Sequence, residues 1–219
     1  MSTNDPQSIR ADYDRLARNY TQRLFNELEH KPLDRELLVR FASAVKGNGL
    51  VCDMGCGPGQ VARFLHDAGV EIFGLDLSAQ MIAEARLRSP DIVFREGNML
   101  ALDLDDASLA GIVAFYAIVN IPDDSLATVF SEMYRVLQPD GRLLLSFHIG
   151  SDIIRPQELW GDSISIEFYL RRPDSISGLL TDAQFVIDEI IERDPYPEIE
   201  FQSRRAYVFA RRPSLSGRL

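Results

Sequence analysis

The residues best equipped for chemistry run from Val51 to Gly59, Val-Cys-Asp-Met-Gly-Cys-Gly-Pro-Gly, an apolar stretch that ends in three closely spaced glycines. Glycines permit a tight turn and let a ligand lie against bare backbone, so a strand that passes through such a turn into a helix is suited to a nucleotide. The spacing narrows the choice of ligand. The dinucleotide fingerprint sets its third glycine three places after the second, where this chain has Gln60; here the third glycine is Gly59, two places after Gly57. Asp53 precedes the first glycine, Gly55. A carboxylate repels a pyrophosphate and attracts an ammonium, so the loop suits a ligand with a cationic end and no phosphate.

A second apolar stretch closes on Gly74-Leu75-Asp76-Leu77-Ser78. An acidic side chain at the end of a second strand can accept hydrogen bonds from both ribose hydroxyls, which assigns Asp76 to a ribose. Leu77 and Met81 would flank an adenine, with core packing the other reading of Met81, and Ser78 suits a helix N-cap. A later stretch ends in Leu145-Ser146-Phe147-His148. Ligands gather at the C-terminal ends of strands in open α/β sheets, so His148 is either a general base or a hydrogen-bonded structural histidine. His30 and His66 receive no chemical role. Cys52 and Cys56 suit neither a disulfide scaffold nor a zinc site, and no metal is expected. Cys56 reads as a small turn residue, and the setting as a reducing cytosol.

These residues need a scaffold, and the apolar pattern supplies one. From Ile9 to Val45 apolar residues recur at helical spacing, with Pro32 between two helices. Beyond Gly49, short apolar runs (50–54, 71–77, 92–96, 109–116, 142–148) alternate with amphipathic stretches (60–67, 79–88, 124–137). That alternation predicts parallel strands with crossover helices, a doubly wound α/β sheet. Residues 185–192 and 204–210 read as strands with too short a connection for a crossover helix, so they pair antiparallel at one edge. Residues 150–176, which hold Trp160, do not fit the repeating unit and read as an insertion above the sheet.

Composition bounds the partners. The chain has 219 residues, 23 basic and 33 acidic, for a net charge of −10, with its basic residues scattered rather than clustered. A protein that tracks phosphates needs a basic face, so nucleic acid is not an expected partner. The N-terminus lacks a secretory pattern, and the longest uncharged run, 107–122, is shorter than a membrane span, so no membrane role is expected and a cytoplasmic location is.

The chain resembles the class I methyltransferases that use S-adenosyl-L-methionine, small-molecule type. Four ordered segments carry the resemblance: Asp53 to Gly59, Gly74 to Ser78 with Met81, Phe94-Arg95-Glu96-Gly97-Asn98-Met99, and Arg135 to Arg142. It implies a Rossmann-like seven-stranded sheet, mostly parallel with a C-terminal antiparallel hairpin, in one domain over residues 1–213. Within it, 1–46 would be a helical lid, 47–149 the cofactor-binding core, 150–176 a substrate-side insertion, and 177–213 a C-terminal helix and hairpin, with 214–219 a mobile tail. The resemblance places Gly55, Cys56 and Gly57 against the methionine part of the cofactor, with Asp53 orienting the loop and the amino group. It implies adenine contacts from Asn98, where relatives commonly have an acidic residue, and from Met99. Phe115 and Tyr116 would line the floor near the sulfonium, and Tyr20 would cover the cofactor or simply pack its helix. Asn120 stands where relatives often carry a histidine. Trp160, Phe168, Tyr169 and Arg171 would form an acceptor pocket or close the core of the insertion. The implied activity is methyl transfer to a small organic acceptor, with a non-catalytic cofactor-binding protein as the alternative and a nicotinamide oxidoreductase disfavoured by Asp53 and Gln60. Oligomeric state is not legible.

Overall fold

The computed structural model describes residues 4–214. Asp5 accepts hydrogen bonds from the backbone N–H groups of Gln7 and Ser8, and Pro6 follows where a missing N–H costs nothing, so helix α1 (Pro6–Leu24) starts here. A 3-10 turn (Glu27–His30) leads to a second proline-started helix, α2 (Pro32–Val45). The expected alternation follows: β1 (Val51–Met54), α3 (Gln60–Asp67), β2 (Ile72–Asp76), α4 (Ala79–Arg88), β3 (Val93–Glu96), β4 (Leu109–Phe115), α5 (Asp123–Val136) and β5 (Leu137–His148). The insertion carries β6 (Ile153–Ile154), β7 (Glu158–Leu159), β8 (Asp162–Ser163) and β9 (Phe168–Tyr169), and the chain continues with α6 (Pro173–Asp182), β10 (Val186–Arg193) and β11 (Arg205–Arg211).

Seven strands form one sheet in the order β10-β11-β5-β4-β1-β2-β3. The pairs from β5 to β3 are parallel, whereas β11 runs antiparallel to both β5 and β10. This is the expected doubly wound sheet with its edge hairpin. Strand order reverses between β1 and β4, and the crevice at such a switch point is where open α/β sheets hold ligands. One face of the sheet packs on α5 and α6 through residues such as Phe130, Met133 and Leu180. The other packs on α2 and α3 through Phe41, Val45, Val61 and Leu65.

The two helices of residues 1–46 do different work. Helix α2 buries Leu38, Phe41 and Val45 against the sheet and is a layer of the core. Helix α1 instead sends Ile9 and Leu16 into a separate cluster with Ile164 and Ile166 of the insertion. Buried Asp12 fastens the two together, accepting from the backbone N–H of Ser165 (2.6 Å) and Ile166 (2.9 Å). Asn4 Nδ2 donates to the carbonyls of Asn120 (2.7 Å) and Glu167 (2.8 Å). Asp14 accepts from Ser78 Oγ at 2.6 Å and Gln80 N at 3.1 Å, which ties α1 to the start of α4. The roof over the strand ends is thus α1 plus the insertion.

Two boundaries differ from expectation. Helix α6 begins at Pro173, inside the range read as insertion, because a proline with its fixed φ starts a helix well. Strand β5 extends back to Leu137, directly against α5. Apart from Ser214, the expected mobile tail lies outside the described residues. No helix among the described residues is long and apolar enough to cross a membrane.

Candidate active site

The glycine loop is shaped from inside. Gly55, Gly57 and Gly59 have φ of 72°, 52° and 87°, values that side chains rarely tolerate. A Cβ on Gly55 would lie 2.6 Å from that of Ala117, and one on Gly59 would lie 2.8 Å from Phe94 Cζ. The N–H groups of Gly55 (2.7 Å) and Cys56 (3.1 Å) both donate to the Leu75 carbonyl, Gly57 N donates to Asp76 Oδ2 (2.8 Å), and Gly59 N to the Cys56 carbonyl (2.9 Å). The loop therefore spends its donors within the protein.

Two buried carboxylates complete this geometry. Asp53, on β1, accepts from Ala62 N at 2.9 Å and so occupies the N-terminal end of α3, where a phosphate would otherwise sit. Burial pushes its carboxyl up to about 8, against the opposing pull of the Ala62 N–H, and nearby Asp76 raises it further. Asp76, ending β2, accepts from Gly57 N on one oxygen and from Ser78 N (2.9 Å) on the other. Burial raises its carboxyl too, while those two backbone bonds pull it down. Each carboxylate oxygen has two lone pairs, so both oxygens of Asp76 keep capacity for a diol.

A cleft, open at its mouth, runs along the strand ends. Asp76, Leu77 and Met81 line one side, Asn98 and Met99 another, with Phe115 also on its wall and α1 above. A smaller cavity shares Tyr20, Gly55, Gly57, Phe115 and Tyr116 with it as walls and is also lined by Asp53, Cys56, Glu27 and Gln60. The structure thus brings all the expected cofactor-binding residues to these two adjoining cavities. Asn98 Oδ1 also accepts from Leu100 N at 2.9 Å, fixing the amide in its turn. Ser78 caps α4 through Met81 N, as its type suggests. Tyr20 stands above Gly57, 3.8 Å from the position of a Cβ there, and packs edge-on against Tyr13 and Trp160.

The expected base does not reach this hollow. His148 lines neither cavity. Its Nδ1 shares a hydrogen bond with Ser203 Oγ (2.8 Å), and its ring lies between Tyr116 (centroids 5.0 Å apart) and Phe201 (5.9 Å). Burial, with the positive charges of Arg205 and Lys31, lowers its pKa to about 3. These contacts fit the hydrogen-bonded, structural one of the two readings. Tyr116, which lines both cavities, has a left-handed backbone (φ 54°) and is held by Ser146 through its N–H and by Tyr207 and Asp34 through its hydroxyl.

The insertion's aromatic residues lie outside both cavities, Phe168 against the α1 cluster and Trp160 against Tyr20. Trp160, Phe168, Tyr169 and Arg171 line neither cavity. Tyr169 Oη donates to Glu167 Oε2 at 2.6 Å, and the Arg171 guanidinium is taken by Asp123 and the Ile121 carbonyl. Four residues at the hollow escaped sequence reasoning in these roles. Tyr13 and Asn120 join the roof to the cleft wall, Tyr13 Oη donating to Asn120 Oδ1 at 2.7 Å. Glu27 and Gln60 line the smaller cavity.

Residues 51–141, the stretch that builds the glycine loop, the Asp76 turn and the cleft, match the family model described as a methyltransferase domain. Residues 51–141 are thus similar to a methyltransferase domain. Over 160 residues the sequence is 32% identical to a malonyl-[acyl-carrier protein] O-methyltransferase of Enterobacter lignolyticus, covering 73% of this chain and 61% of that protein. It is 29% identical to a demethylmenaquinone methyltransferase of Beutenbergia cavernae, covering 65% of this chain and 58% of that one. The chain thus spans less than two thirds of either relative's length. Its fold matches that of a methyltransferase from Methanosarcina mazei with a TM-score of 0.72 at 17% identity, over 80% of this chain and 97% of that one.

Proposed function

We propose that this chain binds S-adenosylmethionine and transfers a methyl group to a small organic acceptor. The observation that carries the reading is the direction of the glycine loop: its amides point inward and Asp53 caps α3, so the hollow meets a ligand with acceptors rather than donors. Such a surface opposes a pyrophosphate and favours a cation, which separates this cofactor from a nicotinamide dinucleotide. The residues present fit the group. Asp76 would hold the ribose diol, Leu77 and Met81 would flank the adenine with Asn98 and Met99 at its edge, and Gly55, Cys56 and Gly57 would leave room for the methionine part beside Asp53.

Bound S-adenosylmethionine supplies a methyl group on an already activated sulfonium. The protein's share is alignment and exclusion of water, for which α1, fastened by Asp12 and Asn4, forms the cover. Phe115, Tyr116 and Tyr20 surround the junction of the two cavities, and burial raises both phenols, so they remain neutral and present aromatic faces to a cation. His148 takes no part. The net charge of −10 favours a small acceptor over a nucleic acid, and the two buried free thiols fit a reducing cytosol. Calorimetric titration with S-adenosylhomocysteine and with NAD tests the reading: binding of the former alone is expected, and binding of NAD alone would sink it. Labelled methyl transfer into a metabolite extract then distinguishes an enzyme from a non-catalytic binder.

A further inference from the structure

The smaller cavity is lined by two carboxylates, Asp53 and Glu27, and by no basic residue. Asp53 comes from the sheet, whereas Glu27 is delivered by the 3-10 turn that follows α1. Glu27 Oε2 takes Lys31 Nζ at 2.6 Å, but Lys31 also serves Glu200 at 3.4 Å. Glu27 Oε1 takes Gln60 Nε2 at 3.1 Å. An ionised carboxylate only accepts, so the amide nitrogen of Gln60 must face Glu27 and its oxygen must turn away. That oxygen, Gln60 Oε1, is buried and has no hydrogen-bond partner. Buried acceptors are seldom left unsatisfied without a reason.

We propose that Gln60 and Glu27 together receive the ammonium of the cofactor's amino-acid end, making the turn after α1 a reader of that charge. An ammonium brings three N–H donors, and Gln60 and the carboxyl groups of Glu27 and Asp53 line the cavity, with Gln60 Oε1 an acceptor that a small turn of its side chain would free for it. Because Gln60 opens α3 and Glu27 belongs to the turn behind the roof helix, a cation shared between them joins roof to core. A nucleoside thioether without the amine would fill the larger cleft and leave the junction with only its direct Gln60–Glu27 hydrogen bond. The inference rests on the methyl-donor reading of the site and adds to it the residues that select the ligand's charged end.

The test compares S-adenosylhomocysteine with its deaminated analogue, which keeps the adenosine, the thioether and the carboxylate. Calorimetry is run on the wild type, Glu27→Gln and Gln60→Met, with melting curves to show that each variant is folded. Both variants are expected to weaken S-adenosylhomocysteine binding by about tenfold or more, the scale of one hydrogen bond to a charged group, while binding of the analogue stays unchanged. Unchanged affinity for S-adenosylhomocysteine in both variants overturns the inference, as does equal weakening of the two ligands, which marks a purely structural role. If the wild type binds both ligands equally well, the methyl-donor reading stands and this inference falls. If it binds neither, the methyl-donor reading itself fails.

Discussion

Replacing Asp76 with alanine separates two jobs that one carboxylate performs. Its oxygens accept from Gly57 N and Ser78 N, holding the glycine loop and the start of α4, and the residue also lines the cleft. Two hydrogen bonds from a ribose diol to a charged acceptor contribute about 1.5–3 kcal/mol each. Part of that is offset because burial raises the carboxyl and makes its charged form costly. A net loss of about 2–4 kcal/mol is therefore expected, weakening S-adenosylhomocysteine binding roughly 30- to 1,000-fold. Orphaning the two amides should also lower the melting temperature, by about 2–4 °C for each kcal/mol in a chain of this size. The assay is calorimetry on wild type and Asp76→Ala with S-adenosylhomocysteine and with its 2′,3′-dideoxy form. Wild type should favour the diol strongly and the variant should be indifferent to it. If the variant loses the same factor for both ligands, Asp76 acts through the loop alone and the ribose assignment is refuted.

Three further outcomes follow from the site. Because the folded Asp53 carboxyl keeps its proton until about pH 8, whereas its ordinary value is 3.8, the ligand-free fold should lose stability as pH rises through that interval. S-adenosylhomocysteine, whose ammonium favours the ionised form, should bind more tightly as pH rises towards 8 with release of a proton. Calorimetry in buffers of different ionisation heat measures this release, and a flat profile would remove Asp53 from the ammonium site. His148, held neutral down to about pH 3 against an ordinary 6.5, should cost the fold stability as pH falls through that range. His148→Gln should abolish that acid sensitivity and leave S-adenosylhomocysteine affinity unchanged; a loss of affinity would return the residue to the site. Asn120→Leu removes the bonds to Tyr13 Oη and the Glu167 carbonyl, about 1–3 kcal/mol of roof stability, and amide exchange in α1 should quicken relative to the sheet. Equal exchange in the two proteins would count against the clasp.

The sheet was legible because alternating short apolar runs and amphipathic stretches admit few other architectures, and the edge hairpin followed from the short link before β11. The ribose carboxylate and the glycine turn were legible from residue type at strand ends. What the sequence could not convey was direction. His148 does end β5 as expected, but the left-handed turn at Tyr116 sets that ring against the histidine, and nothing in the residue order announces it. Helical spacing likewise marked α1 and α2 without telling roof from core layer, since both stripes are apolar and only the partner differs. Of the insertion's aromatic residues, Phe168 and Trp160 pack against α1, whereas Tyr169 bonds Glu167 within the insertion. Gln60 was visible only as a departure from a dinucleotide pattern; its unpartnered oxygen emerges once Glu27 arrives from a distant turn.

The clasp between α1 and the insertion has a consequence for synthesis of the chain. Asp12 meets Ser165 across a sequence separation of 153 residues. Contacts so distant form late, after the entropy of closing the intervening loop has been met by other interactions. At about 15 residues per second, the apolar stripe of α1 leaves the ribosome roughly 10 s before its partner exists. Ile9 and Leu16 lack their insertion partners for that interval and have only the start of α4 to pack on, so the nascent chain is most prone to association just before the insertion emerges.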